Sequence, residues 1–506
     1  MLQSAVRQTE HGKGETSVFK LDRTSATPLY RQLYAQAKER ILSGALPPGT
    51  RLPPERTLAR RLGVNRTTVV NAYRELAAEG LVEGRVGHGT VVLGPPEPRG
   101  ADAVRPMPWA GPTEAEEPLV ADINAIIRRP GAISFAHGEM SPELYPAEAV
   151  AHLMQQVLQD PAALGYGPIA GLMPLRQAIA DAMGVTADQV LILAGSQIAL
   201  YLISRVLLQP GDTVLVEMPS YINTLGIFDS AGVRVVPVPV DQHGLVVDGL
   251  DELMLRYQPK LLFTLPTFHN PLGVTLTPER RRRLIQLAAR HQVGIVEDDP
   301  YGPLHFTGQP VPTLKSLDPG GYVIYISSAS KAVSPALRLA WIIAAPPVVE
   351  RIARARGSLD FRAALLNQRV MEAFLREGLL AEHLGRLRPA LKERRDLMLE
   401  ALQRYMPDGV SWYVPEGGYH IWCRLPRPLT ARRLLTEAGR EGVAFVPGDF
   451  YGAGQMARRG LRLNFSYPRP EEIGPGIARL ARAVERLLRE EAADGGEEAS
   501  ISGPVV

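Results

Sequence analysis

The chain has 506 residues, 45% of them apolar and 22% charged, with a formal net charge of +3. That length exceeds one ordinary domain and fits two or three, each with a sizeable core. No run approaches the roughly eighteen uninterrupted apolar residues of a membrane span, and no signal-peptide pattern opens the chain. Cys423 is the sole cysteine, which excludes an intrachain disulfide and cysteine-based metal clusters. A cytoplasmic protein with no metal site and no membrane partner is the expectation.

Charge is uneven along the chain. Residues 1 to 93 hold 14 Lys+Arg against 8 Asp+Glu, a surplus of +6, so the remainder carries −3 of the overall +3. A basic front on a mildly acidic body points to a polyanionic partner for the front.

Residues 1 to 18 lack periodicity and are expected to be disordered. From 28 to 43, Leu29, Leu33, Ala37 and Ile41 recur four apart, one stripe of an amphipathic helix. Gly44 and Pro47-Pro48-Gly49 end it. A short second helix covers 55 to 62 and breaks at Gly63. Asn65 is placed to cap a third helix with Val69, Tyr73 and Leu76 on its apolar face. Leu81-Val82-Glu83 and Thr90-Val91-Val92-Leu93 read as two strands around the glycine-rich tip Gly84-Arg85-Val86-Gly87-His88-Gly89. Three helices and a hairpin make a winged helix-turn-helix. In that plan Arg66, Thr67 and Thr68 open the recognition helix, Arg51 and Arg56 lie on the same approach, and Arg85 and His88 sit on the wing.

Residues 94 to 118 contain seven prolines. Such a linker is semi-stiff, with a reach on the order of 75 Å at roughly 3.1 Å per residue. From 119 to 489, helical stretches alternate with short apolar runs at Val190–Leu193, Thr213–Val216, Val233–Val238, Leu261–Leu265, Gly294–Glu297, Val323–Ile326 and Leu339–Ala344. The alternation predicts an α/β domain with a mostly parallel sheet. A disordered tail is expected over 490 to 506.

The run Val323-Ile324-Tyr325-Ile326-Ser327-Ser328-Ala329-Ser330-Lys331 reads as a buried strand ending in a lysine. Desolvation there makes the amine nucleophilic, as a Schiff base requires. An aldehyde-phosphate cofactor such as pyridoxal 5′-phosphate needs four further things, and each has a candidate at an element's end. Asp298, after the Gly294–Glu297 strand, suits the ring nitrogen. Asn270 and Tyr301 suit the phenolic oxygen, and Tyr221 can lie flat on the ring. Gly195-Ser196-Gln197 opens a helix whose free N–H groups suit a phosphate, with Ser328 and Arg338 beside it. Taken singly, each is a common structural residue; the ordered set at strand ends is what points to a ligand site.

The segment Arg51-Leu52-Pro53-Pro54-Glu55-Arg56, with Leu62-Gly63-Val64, Arg66-Thr67-Thr68 and Arg85-x-Gly87-x-Gly89-Thr90, resembles the GntR-type DNA-binding domain over nearly all of 28 to 93, within a domain spanning 19 to 93. The resemblance implies operator contacts from Arg56, Asn65, Arg66, Thr67 and the wing glycines Gly87 and Gly89. Residues 130 to 485 resemble fold-type I aminotransferases of class I/II, closest to the aminoadipate, kynurenine and aromatic branch. The motifs are Asn270-Pro271-x-Gly273, Glu297-Asp298-Asp299-Pro300-Tyr301-Gly302, Ser328-x-Ser330-Lys331 with Arg338, Pro447-Gly448 and Leu461-Arg462-Leu463-Asn464-Phe465-Ser466. This likeness implies Arg462 as the clamp on a ligand α-carboxylate and Tyr166 at the cofactor phosphate of a partner subunit, hence a homodimer.

The combination resembles the MocR-type transcriptional regulators. It implies a regulator whose aminotransferase-like body senses pyridoxal phosphate, or an amino acid or amine, through Schiff-base formation. The alternative is a working aminotransferase acting on an L-amino acid and carrying a DNA-binding domain. Many MocR-like chains have Asp-Asp-Tyr-Asp where this one has Asp298-Asp299-Pro300-Tyr301-Gly302, the form nearer to working enzymes.

Overall fold

The computed structural model describes residues 19–25, 27–85, 89–94, 118–452 and 454–501. Residues 1–18, nearly all of the proline-rich linker, Gly87, His88 and the last five residues lie outside this set, as does the side chain of Arg85. The chain divides into two compact units, between Glu114 and Ala115.

In the first unit, α1 (Leu29–Leu42), α2 (Glu55–Leu62) and α3 (Arg66–Ala78) are followed by the antiparallel pair β1 (Val82–Arg85) and β2 (Gly89–Val92). The stripe Leu33, Ala37 and Ile41 is fully buried against Val69, Ala72 and Leu76 of α3. Gly63 takes a left-handed φ of 61° at the end of α2, which lets the chain turn at once into α3. The hairpin begins one residue later and reaches Arg85, beyond the Glu83 boundary expected. The chain before α2 adds a rung, because Leu52 N–H donates to Thr90 O at 2.9 Å and Val92 N–H to Thr50 O at 2.9 Å.

The second unit is built on an eight-stranded sheet. Its first short strand, β3 (Ile133–Ser134), lies outside that sheet. The sheet contains β4 (Val190–Leu193), β5 (Thr213–Met218), β6 (Arg234–Asp241), β7 (Gly244–Leu245), β8 (Leu261–Thr264), β9 (Gly294–Asp298), β10 (Val323–Ser328) and β11 (Ala340–Ile343). Their spatial order is β4-β11-β10-β9-β8-β5-β6-β7. The expected parallel sheet is therefore mixed: β11 runs antiparallel between β4 and β10, and β7 is an antiparallel edge. The physical reason is the short connection from β10 to β11, too brief for a parallel crossover.

Successive side chains point to opposite faces, and both faces are apolar. Leu191, Leu193, Val214 and Val216 enter one core with the helix Ser196–Leu207, while Leu215, Leu262 and Ile295 enter another with the helix Pro278–His291. The central strands β9 and β10 are buried on both sides, and their polar residues Asp298 and Ser328 stand at the carboxyl ends.

A smaller antiparallel sheet joins β12 (Ser411–Trp412), β13 (His420–Arg424), β15 (Val446–Pro447) and β16 (Gly460–Asn464), while β14 (Val443–Ala444) pairs with β3. The last helix spans Pro470–Ile501, so the tail expected to be disordered from 490 is helical to Ile501. Arg433 holds that stretch by ion pairs to Glu490, at 2.9 Å, and to Glu491.

Candidate functional site

In the first unit the site is local. The Asn65 side chain caps α3 by accepting from Thr67 N–H at 3.0 Å and from the Thr67 hydroxyl at 3.1 Å. The cap fixes Arg66, Thr67 and Thr68 on the first turn, where free N–H groups favour a phosphate. Arg51, Arg56, Arg66 and Thr67 are exposed, and Thr68 is half-buried. The Arg66 guanidinium is not free: Nη2 and Nε donate to Glu55 Oε2 at 2.8 and 3.2 Å, tying α3 back to α2. Gly89 closes the hairpin at a φ of 78°, opposite Arg85.

In the second unit the site lies at the carboxyl ends of β4, β9 and β10. The strand β10 ends at Ser328, a buried residue, and the short helix Ala329–Ala332 carries Lys331. Lys331 is half-buried, and its Nζ donates to Gly138 O at 2.6 Å. Burial first, and the Arg462 charge second, lower its pKa to about 8. Asp298, the last residue of β9, is buried, and burial together with the neighbouring Asp299 charge raises its pKa to about 7. Its Oδ1 has no hydrogen-bond partner. A buried acceptor without a donor is costly and calls for a ligand or a proton.

Gly195, at the start of the helix Ser196–Leu207, has a φ of 123°, and a Cβ there would lie 2.6 Å from Arg338 Nη2. A side chain there would crowd that guanidinium, and a φ of 123° is one that residues other than glycine rarely adopt. Arg338 is exposed, itself left-handed at a φ of 47°, and donates to Ala194 O at 3.3 Å. Ser196 and Gln197 occupy the first turn, both half-buried. The free N–H groups of this first turn, Ser196 on it and the Arg338 guanidinium beside Gly195 have the chemistry of a phosphate cup.

Arg462 on β16 is buried, 5% exposed. It donates through Nη2 to Ala136 O at 2.6 Å and His137 O at 3.0 Å, and through Nη1 to Asn270 Oδ1 at 3.3 Å, while Nε has no partner. Tyr301 is buried, with its hydroxyl 3.2 Å from His420 Nε2. Burial pushes the His420 pKa well below the ordinary value, so this imidazole is neutral. Tyr221 is half-buried, and its hydroxyl accepts from Asn223 Nδ2 at 2.8 Å. Tyr166 stands apart, 80% exposed, with its ring edge-on to Phe361 at 5.5 Å.

Lys331, Asp298, Tyr221, Tyr301, Asn270 and Arg462 are therefore brought together, with Gly195, Ser328 and Arg338 at one end. Sequence reasoning missed His137, Gly138, Glu139, Tyr419 and His420. The Tyr419 hydroxyl donates to Lys331 O, and His137 stacks on Tyr467 with centroids 3.5 Å apart. Gly417 and Gly418, where a Cβ would strike Phe268, were the one local signal ahead of Tyr419 and His420.

The residues fit pyridoxal 5′-phosphate, because the orphaned Asp298 oxygen, the Gly195–Arg338 cradle and a lysine of lowered pKa are the donor set that cofactor needs. Comparison with known proteins gives the same pattern. The model for aminotransferase class I and II matches residues 130–480, and that for bacterial regulatory proteins of the gntR family matches 29–92. The "Uncharacterized HTH-type transcriptional regulator YisV" of Bacillus subtilis is 36% identical, covering 92% of this chain and 98% of its own. The "Probable rhizopine catabolism regulatory protein MocR" of Rhizobium meliloti is 32% identical, covering 92% and 96%. Among solved structures, Pyrococcus horikoshii kynurenine aminotransferase in complex with PMP superposes with a TM-score of 0.71 at 35% identity, over 76% of this chain and 97% of that one. The chain belongs to the aminotransferase class I and II family, joined behind a gntR-family DNA-binding domain as in the MocR-type regulators.

Proposed function

We propose that this chain is a pyridoxal-phosphate-dependent transcription regulator, in which the winged helix binds operator DNA and the α/β unit senses pyridoxal phosphate or an amino acid or amine. The observation that carries the sensing half is Asp298, a carboxyl group buried with an unpartnered oxygen within electrostatic range of Lys331. When bound, pyridoxal phosphate supplies an aldehyde that reacts with amines and a ring that accepts electrons.

The chain's own residues do the rest. Lys331 supplies an amine whose pKa near 8 leaves a useful unprotonated fraction around neutral pH. Asp298 holds a proton at the ring nitrogen. Gly195, Ser196, Gln197, Ser328 and Arg338 bind the phosphate, Tyr221 covers the ring, and Asn270 and Tyr301 orient the phenolic oxygen. Arg462 takes a ligand carboxylate as a two-pronged donor, exchanging main-chain carbonyls for a charged acceptor. Tyr166, exposed in one chain, reaches the phosphate site of a partner subunit in a homodimer; Leu164, Ile169, Leu359 and Phe361 are exposed apolar neighbours along these segments, supporting an interface there.

A second reading, a working aminotransferase on an L-amino acid, is favoured by one observation: Lys331, Asp298 and Arg462 are all present and clustered, a set that sensing alone does not demand. The kynurenine aminotransferase likeness points the same way. The test is a titration of the cofactor-loaded protein with amino acids and amines, followed by absorbance, with keto acid assayed in parallel. A stable spectral shift that changes DNA affinity supports the regulator. Conversion to the pyridoxamine form with stoichiometric keto acid supports the enzyme.

A further inference from the structure

One acidic side chain at the mouth of this site has no part in the cofactor set. Residues 136–139 form a wall of the site, because Arg462 donates to Ala136 O and His137 O and Lys331 donates to Gly138 O at 2.6 Å. Glu139 follows directly. Its main-chain oxygen accepts from Ser466 Oγ at 3.0 Å and Asn464 Nδ2 at 3.3 Å, so the backbone at this position is fixed from the small sheet. The carboxylate receives the Tyr145 hydroxyl at 3.3 Å. It is exposed, and its charge, opposite in sign to that of Arg462, favours the protonated amine of Lys331.

The arginines of the surrounding segments contact other groups, and the cation on which Glu139 acts is Lys331. Arg462 is held by two carbonyls and Asn270, Arg394 pairs with Glu143 at 2.5 Å, and Arg469 pairs with Glu472 at 2.9 Å. Among the described residues no ion pair reaches Glu139. Tyr145, through its hydroxyl on this carboxylate, and the stacked rings of His137 and Tyr467 on the adjoining segments supply aromatic surface near it, on which a methylene stem can lie.

We propose that Glu139 makes the site selective for ligands with a second ammonium group, diamines or diamino acids, and turns away those with a distal carboxylate. The α-carboxylate, where present, goes to Arg462, and the distal ammonium goes to Glu139. This rests on the reading of the Lys331 pocket as an amine-binding cofactor site, and it departs from the acidic ligand that a likeness to the aminoadipate branch would imply.

The experiment is a spectral titration of the full chain, loaded with pyridoxal phosphate, using L-ornithine, L-lysine, L-norleucine and L-2-aminoadipate. Wild type is compared with Glu139→Gln and Glu139→Lys. An exposed charge pair gives about a fivefold preference. Ornithine or lysine should half-saturate at about one-fifth the concentration of norleucine. Glu139→Gln should erase that ratio, and Glu139→Lys should shift the preference toward 2-aminoadipate. Equal titration by lysine and norleucine in wild type, or a ratio untouched in Glu139→Gln, would overturn the proposal while leaving the cofactor site intact. Failure of the wild type to take up pyridoxal phosphate, or of any amine to shift its spectrum, would overturn the cofactor reading and this proposal together.

Discussion

The two units of this chain put their functional groups in opposite environments. In the winged helix, Arg51, Arg56 and Arg66 are exposed, and local geometry, a left-handed glycine and an asparagine cap, aims the helix that carries Arg66. In the α/β unit, Asp298 and Arg462 are buried and Lys331 is half-buried; burial shifts Asp298 and Lys331, and Asp298 Oδ1 and Arg462 Nε lack hydrogen-bond partners. The difference follows from the ligands. A DNA phosphate is met in water by a guanidinium that needs only position. The cofactor needs an amine that has lost part of its hydration and a carboxylate, shielded from water, that holds the ring nitrogen protonated.

The largest effect expected from breaking this contrast is at Lys331. Lys331→Ala should abolish the visible cofactor band entirely, while affinity for a DNA duplex selected from a random library, measured without cofactor, stays within about twofold. A retained band would mean that another lysine holds the aldehyde.

Asp298 sharpens the contrast through pH. Its carboxyl titrates near 3.8 in an unfolded chain and near 7 in the folded one. The folded state therefore holds the extra proton between those values, and stability is lost as pH rises through that window. Asp298→Asn removes a cost that is fully present above about pH 7. The cofactor-free variant should be more stable than wild type by about 1–2 kcal/mol at pH 8, with the gain vanishing near pH 4. It should also bind pyridoxal phosphate about a hundredfold more weakly, since the ring nitrogen loses its charged acceptor. Denaturant unfolding at the two pH values, with a cofactor titration, checks both; a destabilised variant at pH 8 would contradict the burial argument.

In the DNA unit, Arg66→Ala should weaken binding to the selected duplex about tenfold and lower the salt slope by about one, with cofactor occupancy unchanged. The smallest effect is at its partner. Glu55→Gln frees the Arg66 fork and removes a negative charge, and should tighten DNA binding about twofold, comparable to an exposed ion pair. Looser binding would mean that Glu55 positions Arg66 rather than competing with the phosphate.

The same contrast governs what could be read without coordinates. Gly63, Asn65 and the stripe Leu33, Ala37, Ile41 act over a few residues, so the helix-turn-helix was legible from local pattern. Lys331, Asp298 and Gly195 were legible because apolar strands announce their own ends. The antiparallel direction of β11 was not, since strand direction depends on the length and path of a connection. Nor was the wall at 136–139: Arg462 meets Ala136 from 326 residues away, where Asn464 N–H on β16 donates to Phe135 O at 2.9 Å. His420 likewise reaches Tyr301 only through the small sheet. Tail residues up to Ile501 looked too polar to order, yet Glu and Ala favour helix and Arg433 pairs with two of the glutamates.

The most direct test is to load the full chain with pyridoxal phosphate, reduce it with borohydride and map the modified peptide by mass spectrometry. The chain has only seven lysines, so the assignment is unambiguous. Modification confined to Lys331, and lost in Lys331→Ala, is the predicted result. Modification at Lys260, Lys315 or Lys392, or none at all, would contradict the site described here.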